Sequence, residues 1–185
     1  MLKNMAKFGR KLVESGLISS HFGNISVRVG DKMNITKRGA MLDDISEGSV
    51  AEIDLETPKS FDMKASIEAI VHREIYRSTS ALAVIHAHPP YAVAESLMVR
   101  GKNIKPLDCE GLYFLHEIPI VEGEAGSKQL AECVVGALQD RKGVIVRGHG
   151  TFAIGKTLEE AYIVTSMIEH SCKVKYLCSM VMRLQ

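Results

Sequence analysis

His86 and His88 stand two residues apart in the run Ala83-Val84-Ile85-His86-Ala87-His88-Pro89-Pro90. On a strand, side chains at i and i+2 leave from the same face, so the two imidazoles can reach one metal ion together. A catalytic zinc site usually takes three protein ligands, with nitrogens at about 2.0–2.1 Å, and leaves a position open. A third ligand must then come from another element. The best candidate is His149 in Val146-Arg147-Gly148-His149-Gly150, where a glycine on each side lets the backbone turn sharply and bring the ring close to a neighbouring strand. By spacing alone, a His-x-His pair suits a metal no better than it suits two exposed or hydrogen-bonded histidines.

Three other segments carry chemistry. Lys64-Ala65-Ser66-Ile67-Glu68-Ala69-Ile70-Val71-His72 reads as a helix start. Ser66 and the amides after it could receive an anion there while Glu68 faces a metal, although an acid in a first helical turn is also simply favoured by the macrodipole. Ile35-Thr36-Lys37-Arg38-Gly39 places two cations beside a glycine at a strand end. Such a pair suits either a solvated turn or a phosphate held by charge-assisted hydrogen bonds. Gly16 through Asn24 forms a loop feeding a strand, in which Gly23 permits close backbone approach and Asn24 can donate to an anion; taken alone, the segment is better explained as an ordinary helix-to-strand turn.

The elements that must position these residues follow from periodicity. Met5, Phe8, Leu12 and Val13 keep helical spacing before Gly16, and residues 24–29 and 32–35 alternate about Gly30-Asp31 as a hairpin. Ala51–Leu55 predicts a strand, and a helix beginning near Ser66 carries Ile67, Val71 and Ile75 on one face into the strand with His86. Ile118–Val121 reads as a marginal or edge strand because of Pro119. Ser127 caps a helix with Leu130, Val134, Ala137 and Leu138 inward. Val144–Val146 and Phe152–Ile154 are strands hinged at His149, and Thr157-Leu158-Glu159-Glu160 is a capping-box pattern opening a long helix through Ala161, Val164, Ile168 and Cys172. Helices interleaved with hairpins predict a three-layer α-β-α domain around a central, largely antiparallel or mixed sheet.

Composition bounds the partners. No repeat or linker divides the 185 residues, so 1–185 is expected to be a single domain, able to bury about 70% of its unfolded surface without a disulfide. Lysine and arginine number 23 against 22 acids, a net charge of +1, which offers no long-range attraction for nucleic acid or an anionic membrane. Cys109, Cys133, Cys172 and Cys178 lack Cys-x-x-Cys spacing, and Cys133 and Cys172 fall on apolar helix faces, so buried free thiols in a reducing compartment are expected. The first residues lack a signal-peptide pattern and no segment has the length of a membrane span, so the expected location is the cytoplasm.

Taken together, the ordered motifs resemble the class II aldolase and adducin family, in particular its small archaeal-type fuculose-phosphate aldolases. They run from Gly16-Leu17 through Gly23-Asn24-Ile25-Ser26-Val27-Arg28, Ile35-Thr36 to Gly39, and Ser66-x-Glu68-x-x-x-His72, to His86-Ala87-His88 and Gly148-His149-Gly150, nearly the whole chain. The resemblance implies zinc on His86, His88 and His149, with Glu68 as general acid and base. It implies a substrate phosphate site at Asn24, Gly39, Ser66 and the position of Arg38. It also implies a homotetramer with sites between subunits, in which a tyrosine from a neighbour handles the aldehyde oxygen. The expected reaction is reversible retro-aldol cleavage of a small ketose 1-phosphate to dihydroxyacetone phosphate and an aldehyde.

The chain departs from the family pattern at three places. Lys37-Arg38 stands where a proline followed by serine or threonine is usual, and Ile67 replaces a frequent second serine. At the tyrosine position the simple alignment places Cys109, with Tyr113 one helical turn later as the candidate. The end at Gln185 implies that no C-terminal tail closes over the substrate. Two other readings remain: a methylthioribulose-phosphate dehydratase using Asp108 or Glu110 as an additional acid or base, and an adducin-like assembly module without chemistry. The assembly module has no use for a metal triad. His21, His72, His116 and His170 are expected to be structural or exposed.

Overall fold

Alternating polar and apolar residues build the first ladder. β1 (Asn24–Val29) and β2 (Lys32–Thr36) pair antiparallel across Gly30-Asp31, and β3 (Val50–Asp54) pairs with the far side of β2. On its other side β1 meets β4 (Ala83–Ala87) antiparallel. A two-residue β5 (Asn103–Ile104), β6 (Ile118–Val121), β7 (Gly143–Val146) and β8 (Gly150–Gly155) complete one eight-stranded sheet in the order β3-β2-β1-β4-β8-β7-β6-β5. Among the described residues only β6 and β7 run parallel, so the sheet is mixed and largely antiparallel, as the patterning predicts. The computed structural model describes residues 1–57 and 65–182; Lys64 and Gln185 lie outside the described residues.

Among the described residues five helices cover the two faces. Met5, Phe8 and Leu12 bury the inner stripe of α1 (Leu2–Glu14). α2 (Ala69–Ser78) and α4 (Lys128–Ala137) pack Val71, Ile75, Tyr76, Leu130 and Val134 against Met33, Val84, Val144 and Phe152. Together with α3 (Pro90–Met98) and α5 (Leu158–Met182), α1 covers the opposite face through clusters that include Ile25, Ile85, Ala161, Ile145, Ile168 and Cys172. Fully burying each such aliphatic side chain contributes about 1.5–3 kcal/mol. The three-layer α-β-α arrangement is the expected one.

Several local expectations need correction. The helix does not begin near Ser66: Ala65 still bridges Lys37 antiparallel and Ser66 N–H donates to Thr36 O at 3.3 Å, so the chain stays extended there and helix starts at Ala69. Ile67 therefore lies off the buried helical face and is exposed. β6 is not an edge strand, because β5 occupies the edge. Pro119 is tolerated because pairing with β7 begins at Ile120↔Ile145, past the residue that lacks an N–H. Cys133 is exposed, as are Cys109 and Cys178, and only Cys172 is buried; on α4 the sheet-facing residues are Leu130, Ala131 and Val134. At the start of α5, Thr157 Oγ1 accepts from Glu160 N at 3.1 Å, but the Glu160 carboxylate accepts from Lys156 N rather than closing the box on Thr157.

On the site-bearing face of the sheet, beneath α2, lies a buried polar relay. Ser26 Oγ sits 2.7 Å from both His72 Nδ1 and Tyr76 Oη, tying β1 to α2. Burial lowers the His72 pKa to about 3. An unfolded histidine titrates near about 6.5. Protonation thus favours the unfolded chain: the His72 contribution is complete above about pH 6.5 and is lost as pH falls toward about 3. In urea unfolding of the metal-free protein between pH 7 and 4, His72→Gln is expected to flatten the pH slope by up to about 1.4 kcal/mol per unit. An unchanged slope would show that His72 does not titrate on unfolding.

Candidate active site

Strand register assembles the site. Asn24 of β1 lies directly opposite His86 of β4, which lies directly opposite Phe152 of β8, so three neighbouring strands contribute one row. Phe152 stacks on the His86 ring with centroids 4.3 Å apart. His88 follows β4, and His149 projects from the turn between β7 and β8. Gly148 in that turn has φ +67°, a conformation unfavourable for other residues, and a Cβ on Gly150 would collide with the Ala87 carbonyl and the His88 ring. The glycines flanking His149 thus act as their spacing suggests.

The three imidazoles converge. Ring centroids of His86, His88 and His149 lie 4.8–5.0 Å apart, and one nitrogen from each falls within 4.8 Å of the others. His86 Nδ1 is 3.0 Å from the Thr151 carbonyl, an acceptor only, so Nδ1 carries the proton and Nε2 presents its lone pair. That lone pair points to a place shared with His88 Nε2, 3.0 Å away. Burial first, and neighbouring imidazoles second, hold His86 well below the usual histidine range; the same burial brings His88 to about 4 and lowers His149. All three are neutral near pH 7, the form that ligates. A cluster of converging lone pairs with one ring already oriented by a backbone carbonyl fits a divalent metal.

Glu68 closes one side. It is 3% exposed, and its Oε1 lies 4.0 Å from His149 Nε2. Among the described residues neither carboxylate oxygen has a hydrogen-bond partner, and although Glu68 occupies the N-cap position of α2 its side chain caps nothing. Simple stabilisation of the helix end does not account for this placement. Burial raises its pKa to about 7, against a smaller opposing pull from the Gly126 backbone, whose geometry falls short of a hydrogen bond. Such a group can hold or release a proton near neutrality.

The opposite side suits an anion. Ser66 Oγ accepts from Asn24 Nδ2 at 2.9 Å and from Glu68 N at 3.3 Å, which leaves its own proton to donate into the cleft. Arg38 and Gly39 are exposed at the rim, while Lys37 Nζ donates to Gly48 O at 2.7 Å. The helix N-terminus offers less than its sequence suggests, since the Glu68 and Ala69 amides both turn back to Ser66. Asn24, Lys37, Arg38, Gly39, Ser66 and Glu68 line one cleft of about 440 Å³ with the three histidines, a size that suits a small phosphorylated ligand.

Tyr113 is not among the lining residues of its own chain's cleft. It lies in a π-helical turn (Gly111–Leu115), 72% exposed, with its ring 4.8 Å from Phe114. Of the remaining histidines, His72 is buried behind the site, and His21, His116 and His170 are exposed. Sequence reasoning missed Phe22, whose ring lies 6.1 Å from that of His88, and the roles of Thr151 and Phe152. Phe22 carries no periodic signal, but the other two follow once β8 is paired with β4.

Residues 3–176 match the profile of the class II aldolase and adducin N-terminal domain. An L-fuculose phosphate aldolase of Methanocaldococcus jannaschii is 34% identical over 177 residues, 95% of each chain. The crystal structure of L-fuculose-1-phosphate aldolase from Thermus thermophilus superposes with a TM-score of 0.93 at 33% identity, covering 100% of this chain and 96% of that one. A methylthioribulose-1-phosphate dehydratase of Xenopus tropicalis is 29% identical over 82% of this chain and 73% of its own length. Among the described residues no helix is long and apolar enough to cross a membrane. With the family profile spanning nearly the whole sequence and the fold and histidine cluster in place, this chain belongs to the class II aldolase and adducin family.

Proposed function

We propose that this chain is a zinc-dependent aldolase that cleaves a small ketose 1-phosphate, such as L-fuculose 1-phosphate, to dihydroxyacetone phosphate and an aldehyde. The observation that carries this reading is the buried, unpartnered Glu68 carboxylate 4.0 Å from the His149 of a three-histidine cluster. His86, His88 and His149 would hold the metal, which supplies Lewis acidity to substrate carbonyl and hydroxyl oxygens.

The chain's own groups supply the rest. Ser66, Asn24 and Gly39, with Arg38 at the rim, hold the phosphate at one end of the cleft and so fix the carbonyl end against the histidines. Retro-aldol cleavage breaks a carbon–carbon bond and leaves its electron pair on the carbon beside the carbonyl. Glu68, whose proton affinity burial has raised, delivers a proton to that carbon and accepts one in the reverse direction. Tyr113, exposed beside Leu112 and Phe114, is assigned to a neighbouring subunit's site in a homotetramer, where it would handle the aldehyde oxygen. Three exposed free thiols fit a reducing cytoplasm.

Similarity to a dehydratase supports a second reading on the same scaffold, loss of water with the carbon chain intact. The panel that decides contains fuculose, ribulose and methylthioribulose 1-phosphates, incubated with zinc-loaded protein and followed by mass spectrometry. Release of dihydroxyacetone phosphate from at least one is expected. An intact product lighter by one water would establish the dehydratase instead, and no turnover at full metal occupancy would favour the assembly module.

Metal analysis of the purified protein should give about one divalent ion per chain, with substantial loss in His86→Ala and in His149→Ala. Full occupancy in both variants would reject these ligands. Glu68→Gln retains the shape but not the transferable proton, so it should keep the metal and the fold while turnover falls at least about a hundredfold. Parent-level turnover at saturating metal would remove Glu68 from the reaction.

A further inference from the structure

We propose that Arg147 is a positioning residue for the metal centre, locking the turn that carries His149 onto the helix that follows His88. The proposal rests on the reading of the three histidines as metal ligands. Arg147 directly follows β7 and is two residues from His149. Its guanidinium, in a side chain 22% exposed, spends its donors on backbone. Nη1 donates to the carbonyls of Ser96 and Val99, the latter at 2.7 Å, and Nη2 donates to Gly101 O at 2.9 Å. These carbonyls belong to the C-terminal end of α3 and the residues just after it, where a helix leaves its last acceptors without intrahelical partners.

The neighbouring backbone converges on the same point. Gly148 N donates to Ser96 Oγ at 2.9 Å, so the side chain of residue 147 and the amide of residue 148 both end on Ser96. The other end of α3 is also fixed: the Glu169 carboxylate of α5 accepts from Tyr91 N at 3.1 Å and Ala92 N at 2.9 Å. Only Pro89 separates His88 from the start of α3, and a proline holds its backbone near one φ. Pinned at both ends, α3 is a strut between His88 and the His149 turn, and Arg147 is its fastening on the His149 side.

The remaining partner of Arg147 contributes less. Glu122 Oε1 lies 2.6 Å from Nε, but the Glu122 side chain is 72% exposed, where solvent screens an ion pair. The carbonyl contacts require a planar fork with several donors in fixed directions. Lysine keeps the charge and lacks the fork.

Cobalt(II) binding tests this in the full-length protein, with affinity measured by chelator competition and ligand geometry by the visible absorption of the bound ion. Arg147→Lys should weaken affinity roughly tenfold to a hundredfold, the usual range for residues supporting metal ligands, and alter the visible bands. Ser96→Ala, which removes the acceptor of Gly148 N while leaving the guanidinium in place, should shift affinity in the same direction. Should Arg147→Lys fail to fold, Ser96→Ala decides alone. Glu122→Gln should match the parent in both readouts. Parent affinity and parent spectrum in Arg147→Lys and Ser96→Ala, even with lowered thermal stability, would reduce Arg147 to a structural residue and overturn the proposal. A parent protein that takes up no cobalt would overturn the metal reading itself, and this proposal with it.

Discussion

The hydrogen bond from His86 Nδ1 to the Thr151 carbonyl is the interaction on which the site depends. It exists because β4 and β8 pair antiparallel with His86 opposite Phe152 and Ala87 opposite Thr151. A shift of that register by one residue would turn His86 to the opposite face, among Ile85 and Ala87 against α5. The bond fixes both the ring's plane and its tautomer, so Nε2 faces His88 and His149 with its lone pair. Phe152 stacked on the ring removes the remaining freedom. The histidine cluster is thus a product of sheet register, with His149 delivered by the turn that connects β7 to the same β8.

Burial then acts on the site's ionisable groups in opposite senses. Removing water disfavours charge, which keeps the imidazoles neutral and makes Glu68 slow to ionise. One physical cause therefore leaves neutral imidazoles suited to a cation beside a carboxyl group able to hold a proton near neutrality. Among the described residues the buried oxygens of Glu68 have no partner, an arrangement that costs free energy in a fold held only for its own stability. Placing such a group beside three histidines makes sense if a bound cation or substrate completes its environment.

The anion end is built differently. At the histidine end the rings sit on β4, on the residue just after it and on a glycine-bounded turn, whereas Arg38 and Gly39 stand exposed beyond the end of β2. Ser66 is held more firmly: Asn24 and the Glu68 amide orient its oxygen, and Thr36 O receives its backbone N–H. The part of the cleft tied into the sheet is therefore the part where chemistry is proposed, and the part open to solvent is where Lys37-Arg38 departs from the family pattern.

Much of this protein was determined by local sequence. The β1–β2 hairpin, the inner stripe of α1, the start of α5 at Thr157 and the strands around His149 follow from alternation, helical period and glycine placement, which act over a few residues. That the three histidines converge, with Glu68 beside them, was legible because ligand chemistry restricts residue type. Tertiary structure decided what depends on distant partners. Ser66 stays extended because Ala65 bridges Lys37, far away in sequence, and this moves the helix start to Ala69. Pro119 lies inside the sheet because two-residue β5, with no periodicity to announce it, takes the edge. Cys133 faces solvent because the sheet selects Leu130, Ala131 and Val134 as the inner face of α4. Thr151 has no ligand chemistry of its own, and its role arises only when pairing across a separation of 65 residues sets its carbonyl opposite an imidazole.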